Sequence, residues 1–438
     1  MLPTHWIFSK LGEVCQTTSG GTPSRKVSEY YKGSIPWVKS GELNYNVITE
    51  TEEYISEIAV KNSSAKVFPK GTLLIALYGA TIGKLAFLGV DAATNQAVCA
   101  IFKNKIFESR FLYYLLFYKK QDLIKKGVGG AQPNISQTIL KNIEIPIVPL
   151  PEQRAIVSKI EQLFSELDNG IANLRLAQEQ LKVYRQAVLK KAFEGDVTKN
   201  TTEMAQRKLR DFAELITKGA SPKWQGFNYT EDQSQLLFIT SENVREGFID
   251  LTKKKFLPLS FNEKQKRSTL KKGDVLFNLV GASIGRAAIF NMDVLSNINQ
   301  AVAVIRLSDN LDNWYLTYFL NAEIAKQEYL SKVVDVARAN LSLTDVNNLI
   351  IPYCSLPEQH AIVQEIETRL SVCDKMAQDI DEALEKAEAL RQSILKKAFE
   401  GKLLSERELA EVRRAEDWEP AEVLLERIKV KKEGKEKR

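Results

Sequence analysis

Histidine is almost missing from this 438-residue chain: only His5 and His360 occur. Metal centres and nucleophilic triads built on imidazole are therefore nearly excluded. The four cysteines, Cys15, Cys99, Cys354 and Cys373, show no Cys-x-x-Cys spacing. That argues against a disulfide frame or zinc site and for inert thiols in a reducing, cytoplasmic setting. The opening MLPTHWIFSK lacks the apolar region of a signal peptide. The longest apolar stretch, Leu73 to Val90, carries three glycines and Lys84. A lysine at mid-bilayer costs roughly 2.5–3.5 kcal/mol, so this stretch reads as a pair of core strands, and no membrane association is expected. There is no Gly-rich strand–helix turn for a dinucleotide or S-adenosylmethionine. The Asn-Pro-Pro-aromatic and Asp-Pro-Pro-aromatic signatures of amino methylation are also missing. No spaced set of carboxylates recurs in both halves, as a duplicated magnesium nuclease would require. GATIGKL (Gly79 to Leu85) looks like a phosphate loop. It is one residue short between its glycines and puts Leu85 where a hydroxyl would meet magnesium, while its counterpart GASIGRA lacks the lysine. Both read as structural turns.

What the chain does contain, it contains twice. PEQRAIV…QAVLKKAFEGDV from Pro151 aligns without a gap with PEQHAIV…QSILKKAFEGKL from Pro357, 206 residues later, with 21 identities in 47 positions. A repeat of this length implies two copies of one large module, each a globular part of about 150 residues followed by a long helix. Composition agrees with an ordinary soluble protein: 44% apolar, 26% charged, net charge +6. The weak basicity is compatible with nucleic acid without demonstrating it.

Each repeat opens on Leu-Pro-Glu-Gln and closes on Lys-Lys-Ala-Phe-Glu-Gly. Proline and glutamate suit a first helical turn, lysines a last turn, and glycine the left-handed residue beyond it. A helix from Pro151 to Glu194 is about 65 Å long. Its apolar residues step in heptads through Ile156, Ile160, Leu163, Leu167, Gly170, Leu174, Ala177, Leu181, Tyr184 and Val188, with Gly170 the break. The second copy steps through Ile362, Ile366, Arg369, Cys373, Met376, Ile380, Ala383, Ala387, Leu390 and Ile394, with Arg369 the break. These seams predict that the two helices pair as an antiparallel coiled coil.

The globular parts also match. FPKGTLLIALYGATIGKLAF from Phe68 pairs with LKKGDVLFNLVGASIGRAAI from Leu270, and TNQAVCAIF from Thr94 with INQAVAVIR from Ile298. Strand-like runs, Gly and Asn turns and one aromatic-rich helix per half predict a mixed α+β domain. The loops diverge: SGGTPSRK (Ser19 to Lys26) has only the loose counterpart TKGASPKW (Thr217 to Trp224). One scaffold with two loop sets suggests two related but different ligands.

Taken together, IPIVPLPEQRAIV with QAVLKKAFEG, repeated as IPYCSLPEQHAIV with QSILKKAFEG, and the closing DWEPAEVLLERIK resemble the specificity subunit of type I restriction–modification systems. The resemblance covers essentially the whole chain. It implies an α+β pseudo-two-fold tandem repeat with a first target-recognition domain at 1–146 and a central helix at 147–197. A linker with the second recognition domain follows at 198–352, then a distal helix at 353–403 and a charged tail with the Leu-Leu-Glu-Arg-Ile helix at 404–438. Each domain is expected to read one half of a gapped site in double-stranded DNA. The helices are expected to set the spacing and, outside the seam, to dock two methyltransferase subunits together with the tail's Leu424, Leu425 and Ile428. A restriction subunit with translocase and nuclease activity joins that core. The chain itself is expected to be non-catalytic and to bind no cofactor, with S-adenosylmethionine, ATP and magnesium on its partners.

Recognition chemistry then narrows the candidates, because phosphate contacts come from Lys and Arg and base readout from Arg, Lys, Asn or Gln. In the first domain these are Thr22, Ser24, Arg25, Lys26, Lys39, Glu42 and Asn44. In the second they are Lys218, Ser221, Lys223, Trp224, Ser241, Asn243 and Arg245. Gln132, Asn134, Arg338 and Asn340 read as structural turn residues. Three other readings stay open on the residues alone: the specificity subunit of a fused nuclease–methyltransferase system, a coiled-coil scaffold that binds no DNA, and a self-contained nuclease or methyltransferase.

Overall fold

The apolar stretch that begins at Leu73 folds as an antiparallel strand pair, Leu73–Ala76 against Leu85–Leu88. Its continuity follows from burial on both faces: Leu73, Ile75 and Leu77 face one core, Leu74 and Ala76 another. No helix among the described residues is long and apolar enough to cross a membrane. The computed structural model describes residues 3–127, 134–195, 204–331 and 340–427. It divides into two compact units, one of Met1–Asn173 with Ala383–Arg438, the other of Leu174–Glu382.

In the first unit a five-stranded sheet runs in the order Thr17–Ser19, Val98–Ile101, Leu73–Ala76, Leu85–Leu88, Val47–Ile48. A four-stranded sheet runs Glu53–Ile55, Ile35–Val38, Ala92–Thr94, Val67–Phe68. The second unit repeats this frame. Ala213–Lys218, Val302–Leu307, Val275–Asn278 and Ala287–Ile289 form one sheet, and Phe256–Leu257, Leu236–Ile239 and Ser296–Ile298 the other. Both copies keep the same parallel pair, Ile35–Val38 beside Ala92–Thr94 and Leu236–Ile239 beside Ser296–Ile298. Both also close with an outer strand pair, Ile7–Lys10 with Glu144–Ile147 and Ala205–Lys208 with Ile350–Tyr353.

The repeated helices span Leu150–Glu194 and Leu356–Phe399. Each starts with its glutamine fully buried and bonded to the domain that precedes it. Gln153 Nε2 donates to Ile106 O and Val148 O, both at 2.7 Å, and its Oε1 accepts from Glu108 N at 2.9 Å. Gln359 does the same with Cys354 O (2.9 Å), Asn310 O (3.3 Å) and Asp312 N (2.8 Å). The far ends carry the other anchor. Phe193, at the end of the central helix, packs edge-on against Tyr315 and Phe319 of the second unit's aromatic helix, Asn313–Asn321. Phe399, at the end of the distal helix, packs on Phe111 and Tyr118 of the first unit's helix, Ser109–Tyr118. The glycines that follow, Gly195 and Gly401, adopt the left-handed φ expected there.

The helices form an antiparallel coiled coil. Asp168 pairs with Arg391, Gln178 with Asp381 at 2.7 Å and Arg185 with Asp374, so every advance along one helix is matched by an equal retreat along the other. Most of the seam expected from sequence is packed, and only Gly170, Tyr184, Met376 and Leu390 among its positions are exposed. Ile156, Ile160, Val188, Ile362, Ile366 and Ile394 are buried, and Leu163, Leu167, Leu174, Leu181 and Ile380 are half-buried. Tyr184, Met376 and Leu390 are 47%, 51% and 50% exposed and lie outside the seam. The residues one place later on that side are packed as well: Phe164, Ile171, Gln178 and Arg185 on the central helix, Leu370, Ala377, Leu384 and Arg391 on the distal one, so that Arg185, Ala377 and Arg391 take the places of Tyr184, Met376 and Leu390. With that shift Gly170 and Arg369 no longer interrupt anything. Three of the true positions are polar and bond across to an aspartate, which is why an apolar pattern passed over them. Arg391 also lies 4.7 Å from the centre of the Phe164 ring.

The tail requires a second correction. Leu424 is buried in the core of the first unit and Leu425 packs against it, together with Trp6, Ile156 and Phe399. Leu424 therefore cannot serve as a free docking contact. Arg154 bonds Asp417 and Lys159 bonds Glu408, which pins the segment from Ser405 onward to the central helix. Ile428 lies outside the described residues.

Candidate nucleic-acid interface

Four loops in the first unit are tied together by backbone bonds at one end of its two sheets. Gly20 N donates to Val98 O (3.1 Å), Gly21 N to Thr94 O (2.9 Å), Asn95 N to Val38 O (2.9 Å) and Leu77 N to Ala97 O (2.8 Å). Gly20 is obligatory, because a Cβ there would lie 2.1 Å from Thr94 O. A Cβ on its twin Gly219 would lie 1.8 Å from Ile298 O. That shared contact aligns the two loops: Pro23 stands where Pro222 does, Ser24 where Lys223 does, and Arg25 where Trp224 does.

In the first unit Glu53 gathers the basic side chains. Arg25 grips it through two bonds (2.6 and 3.1 Å) and lies over the rings of Tyr31 (4.2 Å) and Trp37 (5.3 Å). Lys39 reaches Glu53 at 3.1 Å and Glu52 at 2.6 Å. The Arg25 bond, more than any other contact, holds the Glu53 carboxyl below its usual range. The same bond raises the Arg25 guanidinium, and Glu52 raises Lys39. Asn44 Oδ1 accepts from Lys84 Nζ at 3.0 Å, and Lys120 Nζ donates to the Tyr45 hydroxyl at 2.7 Å. Ser24 and Lys26 are exposed and Thr22 is half-buried.

The second unit reverses the charge at the central position. Lys255 occupies the place of Glu53, pairs with Glu242 at 3.0 Å and lies 5.8 Å from the Tyr229 ring centre. The Lys255 bond lowers the Glu242 carboxyl. Trp224, 87% exposed, tops the short turn Lys223–Gln225. Phe227 N to Pro222 O (2.9 Å) and Lys264 Nζ to Gln225 O (3.1 Å) hold that turn. Lys218 and Lys223 are exposed and Ser221 half-buried. Arg245 contacts Asp250 at 3.4 Å, and Ser241 offers its carbonyl to Asn278 Nδ2 at 2.9 Å.

Two candidates prove to be braces. Asn243 is 3% exposed; its Oδ1 accepts from Thr240 N and its amide donates to Asp250 O and Lys253 O. Glu42, at the equivalent place, accepts from Lys39 N (2.6 Å) and Glu52 N (2.9 Å). The Asn243 amide is consumed in shaping its loop, and each carboxylate oxygen of the half-buried Glu42 holds one amide of its own. Asn134 and Asn340 precede residues that extend the central strands, Ile135 N bonding Leu77 O and Leu341 N bonding Leu279 O. Gln132 and Arg338 lie outside the described residues. The sequence reading missed two basic residues. Lys84 and Arg286 hold the same backbone position in the turns dismissed as failed phosphate loops, and their signal was the Gly-Lys and Gly-Arg pair in matching places.

The family model for the type I restriction modification DNA specificity domain matches residues 3–174 and 202–386. The chain is 28% identical over 363 residues to the EcoBI type I restriction enzyme specificity subunit of Escherichia coli, covering 78% of this chain and 76% of that one. It is 24% identical to the EcoKI specificity subunit of Escherichia coli strain K12, covering 98% and 96%. Among solved structures, a chain of a type I R-M system aligns with a TM-score of 0.69 at 22% identity, over 92% of this chain and all of that one. The HsdS subunit from Thermoanaerobacter tengcongensis aligns with a TM-score of 0.58 at 23% identity, over 92% and 98%. These two share the fold. With two matching segments that together cover most of its length, the chain belongs to the type I restriction–modification DNA specificity family.

Proposed function

We propose that this chain is the DNA-reading subunit of a type I restriction–modification complex, each recognition domain reading one half of a gapped two-part site. The observation that carries this reading is the substitution pattern on a repeated frame. Arg25, Lys39 and Glu53 face Trp224, Thr240 and Lys255 at the same backbone places, so one scaffold presents two chemically different surfaces. Two different half-sites are what such a pair is suited to read. The helix pair sets the spacing of the half-sites, and its faces outside the seam receive two methyltransferase subunits. A restriction subunit joins them. The chain is non-catalytic; S-adenosylmethionine, ATP and magnesium belong to those partners, and the complex works in the cytoplasm.

Base-resolution mapping of methylated adenines in cells that express the chain with its methyltransferase tests this. A gapped two-part motif is expected. Exchanging residues 205–352 for another such domain is expected to change one half alone, and a continuous motif or a change in both halves refutes the modular reading. Lys26→Ala is expected to weaken binding without unfolding. If Lys26 sits on a phosphate, affinity falls for all sequences alike and the salt slope drops by about one; if it reads a base edge, one position of the motif relaxes.

A further inference from the structure

We propose that Lys84 with Gln96, and Arg286 with Gln300, form a sequence-independent phosphate clamp in each recognition unit. The inference rests on the DNA-reading function above and adds a division of labour to it. The two pairs occupy identical backbone settings. Ala76 N bonds Lys84 O and Leu77 N bonds Ala97 O; Asn278 N bonds Arg286 O and Leu279 N bonds Ala301 O, all between 2.8 and 2.9 Å. One strand end thus carries the cation on one side and the Asn-Gln-Ala turn on the other. The turn is fixed from a third direction, by Asn95 N on Val38 O at 2.9 Å and by Asn299 N on Ile239 O at 3.1 Å. The glutamines are exposed at its crest. Neither has a side-chain hydrogen bond to any described residue, and Arg286 has no ion pair with one. Lys84 is steered by Asn44 Oδ1 at 3.0 Å, which uses one of its three donors.

Around these pairs the neighbouring positions change between the units: Arg25 against Trp224, Lys39 against Thr240, Asn44 against Arg245, Glu53 against Lys255. Side chains that read different half-sites must differ. Side chains kept alike suit what any two half-sites share, the sugar–phosphate backbone. The exchange of lysine for arginine fits that role, since a phosphate accepts either cation whereas a base edge distinguishes them. A glutamine amide supplies two neutral donors to the same phosphate oxygens.

The test uses the full chain copurified with its methyltransferase subunits. Lys84→Gln and Arg286→Gln are each expected to reduce affinity about tenfold for duplexes with and without the methylated motif alike. Each is expected to lower the salt slope by about one, additively in the double variant, with the motif unchanged. Lys84→Arg and Arg286→Lys, which keep the charge, are expected to bind like wild type. Gln96→Ala and Gln300→Ala are expected to lower affinity with an unchanged salt slope. Relaxed preference at one motif position in Lys84→Gln or Gln96→Ala assigns the pair to base reading and overturns the clamp. Unchanged affinity in all four charge-removing or truncating variants, while wild type binds, also overturns it and leaves the DNA-reading function standing. A wild-type complex that binds no duplex overturns both.

Discussion

Removing the buried glutamine at the start of either long helix is expected to loosen one recognition unit from that helix and leave the other untouched. Gln153 makes three hydrogen bonds with no solvent exposure, two to carbonyls and one from the Glu108 amide. Each bond contributes about 1 kcal/mol net, and the amide left without a partner adds a desolvation cost of about 1 kcal/mol, so Gln153→Ala is expected to cost about 3–4 kcal/mol. Gln153→Glu is the sharper variant. It keeps the shape and the acceptor for Glu108 N but puts a carboxylate oxygen where Nε2 donated to Ile106 O and Val148 O. Burial and those carbonyls favour the neutral acid, so the folded-state pKa rises above the unfolded one. The ionised form is then penalised, and the loss is largest at high pH and recovers as pH falls through the raised value. Urea unfolding at pH 5 and pH 8, with amide exchange resolved along the chain, provides the measurement. Gln153→Ala is expected to reduce protection in Ser109–Tyr118 and the first turns of Leu150–Glu194, and Gln359→Ala in Asn313–Asn321 and the first turns of Leu356–Phe399. Losses below about 0.5 kcal/mol, the size of an ordinary surface substitution, refute this account of the glutamines. Equal stability of Gln153→Glu at the two pH values does so as well.

Three further outcomes follow from the geometry. Asp274, 1% exposed, forms two bonds with Arg306, and the first unit has Thr72 and Phe102 in those places. Asp274→Thr alone is expected to cost about 3–5 kcal/mol by stranding the guanidinium, and Arg306→Phe added to it to restore most of that in thermal unfolding; an additive loss refutes the equivalence. Ile380→Ala in the seam is expected to cost about 2 kcal/mol, whereas Tyr184→Ala, Met376→Ala and Leu390→Ala stay within about 0.5 kcal/mol, and a reversed order in urea unfolding restores the seam first read from sequence. The Glu408 carboxyl is held at about 2 by the Ser405 amide and hydroxyl and then by Lys159. Because that value lies below its unfolded one, its stabilisation is complete above about pH 4.5 and is lost as pH falls through about 2. A carbon-13 titration, assigned with Glu408→Gln, that places it in the ordinary glutamate range contradicts the cap.

The sequence was most readable where the chemistry is local. Both helix starts lie at Leu-Pro-Glu and both ends at Phe-Glu-Gly or one residue before, because proline, first-turn glutamate and left-handed glycine act on their own backbone. The seam was readable where it is apolar, as at Ile160, Ile366 and Ile380, but Gln178, Arg185 and Arg391 join the interface through aspartates on the other helix, Arg391 through the Phe164 ring as well. Leu424 looked like part of a docking patch because nothing near it in sequence reveals that Trp6 and Phe399 cover it. Asn243 and Glu42 have the right functional groups for base readout, and each also accepts from the amide three residues earlier, a local brace that buries Asn243. That spacing was visible in the sequence; the direction of the side chain was not.

The distribution of identities along the repeated helix now has a cause. They cluster at the two ends, in PEQ-x-AIV and LKKAFEG, and are absent from residues 169–176. The ends hold the anchors. In the first unit, Gln153 of the central helix and Phe399 of the distal helix grip the same recognition domain, on the loop before Ser109–Tyr118 and on that helix itself. In the second unit, Gln359 and Phe193 do so. Each domain is therefore seated by one helix start and one helix end, and each helix serves both domains. Such seats tolerate little change, because each fills a closed polar or aromatic contact. The middle of the helices has only to preserve a seam, which many residue sets can do. Loops such as Gly20–Lys26 lie outside these contacts and can vary without disturbing the seat, and an exchanged domain is expected to need the same glutamine-binding loop and aromatic helix.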